Sequence, residues 1–196
     1  MSSNGAIGAA HDEPFSRYAY LALALLIQVA VFGVFMASLA ILQRDALDRW
    51  PFVVTEFVVL VVIGFNQINV ARDVCWRLDV VDVLIRFTIG LLQGLPMVLL
   101  GRIPDDVTWW FVCYFLLMNM IFIGVVNTRL KTPPGVKLPM LKRRAVLSII
   151  QLYLIALAIV ACYYQWHVLL VGILFMADQI VVLAAIYVFD RRLHSR

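Results

Sequence analysis

Charge is scarce in this chain. Asp, Glu, Lys and Arg make up 14% of its 196 residues, and 64% are apolar. An ordinary soluble domain is about 25% charged and about 45–50% apolar. A separate soluble enzymatic domain has no room here. Histidine is equally thin: His11, His167 and His194 lie in the first stretch, at a segment edge and at the C-terminus. No two histidines share the apolar interior, so haem ligation inside a membrane is excluded. No HExxH, CxxC or histidine-rich cluster points to a metal. There is no GxSxG and no phosphate-binding loop. The lysines, Lys131, Lys137 and Lys142, all fall in one polar stretch, so none is placed to carry a retinal Schiff base. No cofactor and no catalytic residue is expected.

What fills the chain instead is long apolar segments. Six are about as long as a membrane crossing requires, roughly 20 mostly apolar residues each: 18–43, 51–71, 80–100, 107–128, 145–164 and 168–189. The first is too long for the apolar part of a signal peptide and lacks a small-residue cleavage site, so it is read as a retained helix. The fold class expected is all-α: a polytopic membrane protein, a compact bundle of six transmembrane helices. The transmembrane domain covers 18–190, with short cytoplasmic tails at 1–17 and 191–196.

The basic residues set an orientation. Arg129, Lys131, Lys137, Lys142, Arg143 and Arg144 lie between segments four and five. Arg191, Arg192 and Arg196 follow segment six, Arg72 and Arg77 follow segment two, and Arg17 precedes segment one. The alternate side holds only Arg44, Arg49 and Arg102. The excess of Lys and Arg in cytoplasmic loops predicts both termini inside, N-in/C-in. These short juxtamembrane runs suit anionic lipid, above all at the basic loop, and give no reason to expect nucleic acid. Trp50, Trp109, Trp110 and Trp166 fall at the expected outer edge, and Trp76, Tyr18 and Tyr187 near the inner edge, as interface anchors do. Cys75 is expected on the cytoplasmic side and reduced. Cys113 and Cys162 lie toward the outer side, where a disulfide or plain packing are both open to them.

The informative residues are polar ones among hydrocarbon. An ionisable group at mid-membrane costs at least about 2.5–3.5 kcal/mol on insertion scales, so it persists when paired or facing a cavity. Glu56, Arg86 and Asp178 meet that description. At 1.5 Å rise per residue Asp178 lies roughly 15 Å from the cytoplasmic boundary and Arg86 about 10 Å. Gln28, Asn119 and Gln151 fall in the same slab. Five helices thus offer one polar group each at similar depth, which predicts a shared interior network or pathway. Arg86 has two candidate partners, Asp82 at i−4 and Asp178. Asp79, Asp82, Arg86, Gly90 and Gln93 line one face of segment three. Gly90 and Gly94 allow close approach of another helix or a ligand, and Pro96 allows a kink. Glu56 and Gln93 are expected as outer polar groups, Glu56 wetted from outside. Asn66, Gln67 and Asn69 sit near the inner edge, where solvation suffices. Phe65-Asn66-Gln67-Ile68 and Ala177-Asp178-Gln179-Ile180 look alike, yet no longer repeat surrounds them.

No motif identifies a family. The first functional expectation is a small transport or channel-type protein, with Asp178 and Arg86 on a polar path. Six helices make a thin bundle, so a homo-oligomer or a membrane partner subunit is expected. The alternative is a non-transporting membrane subunit, sensor or assembly factor. A lipid-modifying membrane enzyme ranks third, because carboxylates are present without a nucleophile or metal set. Short outer loops and the lack of an N-x-S/T sequon suit a bacterial inner membrane.

Overall fold

A computed structural model describes residues 9–42, 49–74, 76–103, 105–134 and 139–194, with side chains described over 15–42, 49–72, 74, 76–103, 105–134 and 143–187. The described residues form six α-helices and no strand: α1 (Ala9–Ile41), α2 (Trp50–Asp73), α3 (Val80–Leu99), α4 (Val107–Lys131), α5 (Pro139–Tyr163) and α6 (Val168–His194). A 3₁₀ turn, Leu100–Arg102, extends α3. Each helix holds a stretch long and apolar enough to span a membrane. The helical segments therefore agree with the sequence reading, but α1 reaches back to Ala9 and α6 forward to His194, into both stretches read as tails. Cys75, the expected reduced thiol, lies outside the described residues.

Local chemistry explains the helix ends. Asp79 caps α3: it accepts from the Asp82 backbone N–H at 3.0 Å, and the Asp82 carboxylate accepts from the Asp79 N–H at 3.2 Å. Two otherwise orphaned donors are satisfied reciprocally. Pro51 stands in the first turn of α2 and Pro139 opens α5, positions where the missing N–H costs nothing. Gln165 ends α5 with φ 56, while Trp166 donates back to the Ala161 carbonyl at 3.0 Å and Gln165 to that of Cys162 at 2.9 Å. That pairing closes the last turn and sends the chain into α6.

The helices form a ring in the order α1, α3, α4, α5, α6, α2, with α2 closing back on α1. The α5–α6 seam is slight, and α2 barely touches α3. Two glycines permit close crossings. A methyl at Gly90 would collide with Ile27 of α1, and one at Gly172 of α6 would sit 2.7 Å from the Phe52 ring of α2. Gly94 has nothing in front of it, so of the two glycines expected to allow close approach only Gly90 does so.

The bundle has two unlike ends. At one, the end of α2 meets the start of α1, where Arg17 Nε donates to the Val74 carbonyl at 2.8 Å. There the end of α4 also meets the start of α3 through Lys131. This is the basic end. At the other end Phe52, Trp110, Phe111, Tyr114 and Phe175 form one aromatic cluster, with Trp110 ring to ring against Phe52 at 5.0 Å, Phe111 at 4.9 Å and Tyr114 at 4.5 Å. Trp110 is 0% exposed. It is a core residue and not the interface anchor that its place in the sequence suggests. Trp50, Trp109 and Trp166 are exposed, as a belt residue should be.

Candidate functional site

Glu56 lies inside the aromatic end. Its side chain is 0% exposed, not wetted from outside. Trp110 Nε1 donates to its Oε1 at 3.0 Å. Its Oε2 and the Tyr114 hydroxyl are both buried without a well-formed hydrogen bond, though they stand within electrostatic reach of each other. The reason Glu56 is buried is geometric: the face of α2 that carries it turns onto α4 and α6.

Below this cluster lies a partly open cavity of ≈ 90 Å³ among α2, α3, α4, α5 and α6. Tyr114 and Phe175 line it at the aromatic side. Asn66, Gln67, Arg86, Thr128, Arg144, Ser148, Gln151 and Gln179 supply its polar wall, and Val, Ile, Leu and Met side chains the rest. No carboxylate lines it among the described residues.

The polar groups expected to meet across this slab form separate local clusters. Gln67 Oε1 accepts from the Tyr20 hydroxyl at 2.7 Å and from Arg86 Nη1 at 3.0 Å. The guanidinium lies over the Tyr20 ring, 4.8 Å from its centroid. Arg86 therefore pairs with neither Asp82 nor Asp178. Asp82 is taken by Lys131 Nζ at 2.7 Å and by Asn127 Nδ2 at 2.8 Å, on top of its role in the α3 cap. Lys131 also bridges Asp79 at 2.6 Å, and that bond holds the Asp79 carboxyl below its usual range. On the far side of the cavity, Gln151 Nε2 donates to Asp178 Oδ2 at 2.7 Å. Gln179 Nε2 reaches Gln151 Oε1 at 2.6 Å and Asp178 Oδ2 at 3.0 Å. Gln28 Nε2 donates to Gln93 Oε1 at 3.2 Å, between α1 and α3. Asn119 satisfies itself on the Phe115 carbonyl at 2.8 Å, one turn back in its own helix.

Several of these residues carry more than their sequence suggests. Gln67 is the hub of the Arg86 cluster and is buried, as is Asn69; neither is left to solvent at the inner edge. Tyr20, Gln179, Lys131 and Tyr114 complete the polar sites. The one available signal is the likeness of the Asn66-Gln67 and Asp178-Gln179 quartets, which both deliver a glutamine to the cavity. Cys113 and Cys162 are free thiols, not a disulfide, and Cys162 packs in the core. No group of three or more His, Cys, Asp or Glu side chains that could hold a metal occurs among the described residues.

No family model, curated protein or solved structure matches this chain.

Proposed function

We propose that this is a six-span membrane protein that moves a small solute, with the cavity as the solute site and the aromatic cluster as the barrier on its far side. The carrying observation is that five helices surround one cavity with a polar wall, whose continuation toward the aromatic end is filled by Trp110, Phe111 and Phe175. A space with a polar wall and a closed far side is what alternating access needs in one of its states. The slight α5–α6 seam beside the Gln151–Asp178–Gln179 cluster is where the ring would open. By the positive-inside rule the basic end faces the cytoplasm, giving N-in/C-in. A cell membrane, with a bacterial inner membrane first, and a homo-oligomer belong to the same reading.

Vesicle flux tests it. Purified protein in vesicles is offered benzoate, tetramethylammonium and mannitol separately. The reading expects one of the three to enter faster than in protein-free vesicles. Asp178→Asn should lower that rate, because the acid that holds Gln151 and Gln179 becomes a mixed donor and acceptor. Equal entry of all three with and without protein overturns the reading.

A second reading, a non-transporting subunit or assembly factor, is favoured by a different observation. Gly33, Gly64 and Gly94 present open surfaces on α1, α2 and α3, of the kind that membrane helices pack against. Recovery of a stoichiometric membrane partner, with no flux, supports it.

A further inference from the structure

We propose that the cavity takes an anion with one carboxylate and an apolar body, held by Arg86; this rests on the cavity being the solute site. Arg86 puts a guanidinium on the space, and no carboxylate lines it among the described residues. The interior acids Asp82, Asp178 and Glu56 are already bonded elsewhere: Asp82 to Lys131 and Asn127, Asp178 to Gln151 and Gln179, Glu56 to Trp110. Positive charge between low-dielectric walls attracts a counter-ion strongly.

Arg86 is also prepared for one. Gln67 holds Nη1 and the Tyr20 ring supports the plane, while Nε is buried with no acceptor. A guanidinium fixed in place with a donor to spare suits a carboxylate, which takes parallel N–H bonds in one plane. Phosphate suits the site less. It carries more charge and needs more donors, yet Gln179 Nε2 is spent on Gln151 and Asp178, and Gln151 Nε2 gives one of its N–H groups to Asp178. Beyond the polar wall, Val59, Ile63, Met118 and Ile155 offer only apolar contact. The Asn66 Oδ1, buried without a donor, would accept from water or a hydroxyl on the guest.

The carboxylate has two sources, a short free acid or a fatty acid entering from the bilayer. Calorimetric titration of the full chain in detergent micelles with benzoate, oleate, phosphate and tetramethylammonium separates them. Saturable benzoate binding with oleate inert identifies a free acid, and the reverse identifies a lipid-borne one; both support the proposal. Arg86→Gln should weaken that binding about tenfold or more, the loss of a charge-assisted pair. Arg86→Lys should recover part of it, since charge returns without the fork. If Arg86→Gln does not fold, Val182→Phe keeps Arg86 and fills the space, and it should block binding. Tetramethylammonium binding in place of both acids overturns the proposal, as does undiminished affinity in Arg86→Gln or Val182→Phe. Failure of the two readings is distinguishable. Carboxylate binding without flux removes transport and keeps the site. Flux of a cation or of mannitol without carboxylate binding keeps transport and removes the anion.

Discussion

At the aromatic end a carboxylate is bonded to the centre of a ring cluster, and Trp110 above it is 0% exposed. At the basic end a guanidinium faces ≈ 90 Å³ of space. Both ends place a polar group among hydrocarbon side chains, but they hold it differently. Glu56 has one good donor and is enclosed by packing. Arg86 has an amide, a ring and room. A buried polar group with few partners is tolerated where its surroundings cannot rearrange, while one beside a cavity keeps the freedom to take a new partner. The first arrangement suits a barrier and the second a binding site.

The largest effect should come from breaking the packed end. Trp110→Ala removes the ring shared by Phe52, Phe111, Tyr114 and Phe175 and takes away the Glu56 donor. Truncations of this kind cost about 3–5 kcal/mol. Thermal unfolding in detergent should show it as a large fall in midpoint. Trp110→Phe keeps one ring in the cluster but loses the rest of the indole with its N–H, and the stranded acceptor alone costs about 1–3 kcal/mol. Equal midpoints for Trp110→Phe and the parent chain would mean that the bond to Glu56 contributes nothing.

Next comes Gly172→Ala. The added methyl would lie 2.7 Å from the tip of the Phe52 ring, and that ring is itself wedged against Trp110 at 5.0 Å. Overpacking of a filled core costs roughly 1–3 kcal/mol. Gly94→Ala is the control, since nothing stands before it, and it should gain up to about 1 kcal/mol in helix preference. The two substitutions should move the unfolding midpoint in opposite directions. A shift of the same sign would mean that the aromatic end yields as readily as an open helix face.

Arg86→Gln should be milder. It forfeits the cation–π contact with Tyr20, worth about 0.5–1 kcal/mol at an exposed site and more when desolvated, and the Nη1 bond to Gln67, for which the new amide can donate in its place. The neighbouring cavity can receive water around the new amide. Unfolding of this variant in detergent, without ligand, should stay within about 2 kcal/mol of the parent. A loss as large as that of Trp110→Ala would make Arg86 a structural keystone and erase the contrast between the two ends.

How much of this was readable from the chain depends on helix rotation. Six helices were legible because length and apolarity suffice for that. On α3 the polar stripe also gave the buried face: Asp82, Gly90 and Gln93 are indeed inside. On α2 and α4 the sequence is apolar nearly all round, so nothing showed which side turned inward. That is why the sequence pattern alone puts Glu56 and Trp110 at the outer surface and leaves Gln67 to solvent. Ring order was equally hidden. The α1–α3 and α2–α6 contacts depend on small features such as Gly90 and Gly172, and equal depth along the membrane says nothing about angle around the ring. Equal depth therefore makes Asp178 a candidate partner of Arg86 beside Asp82, although Gln67 and Gln151 hold Arg86 and Asp178 separately.

The smallest expected effect concerns the rim of the basic end, where Lys131 joins α4 to the cap of α3. Asp79 lies outside the apolar span and its bond to Lys131 lowers its pKa from 3.8. A carboxyl that is more acidic folded than unfolded adds stability above its unfolded pKa and loses it as pH falls through the folded value. The contribution should thus be whole at neutral pH and fade below about pH 4. Comparing unfolding midpoints of the parent and Asp79→Asn across pH 3–7 should show a small gap at neutrality that closes in acid. The gap should also shrink at high salt, because the pair is half-exposed on the Asp79 side. A gap that does not narrow between pH 7 and pH 3 would assign the effect to the helix cap and not to the charge on Lys131.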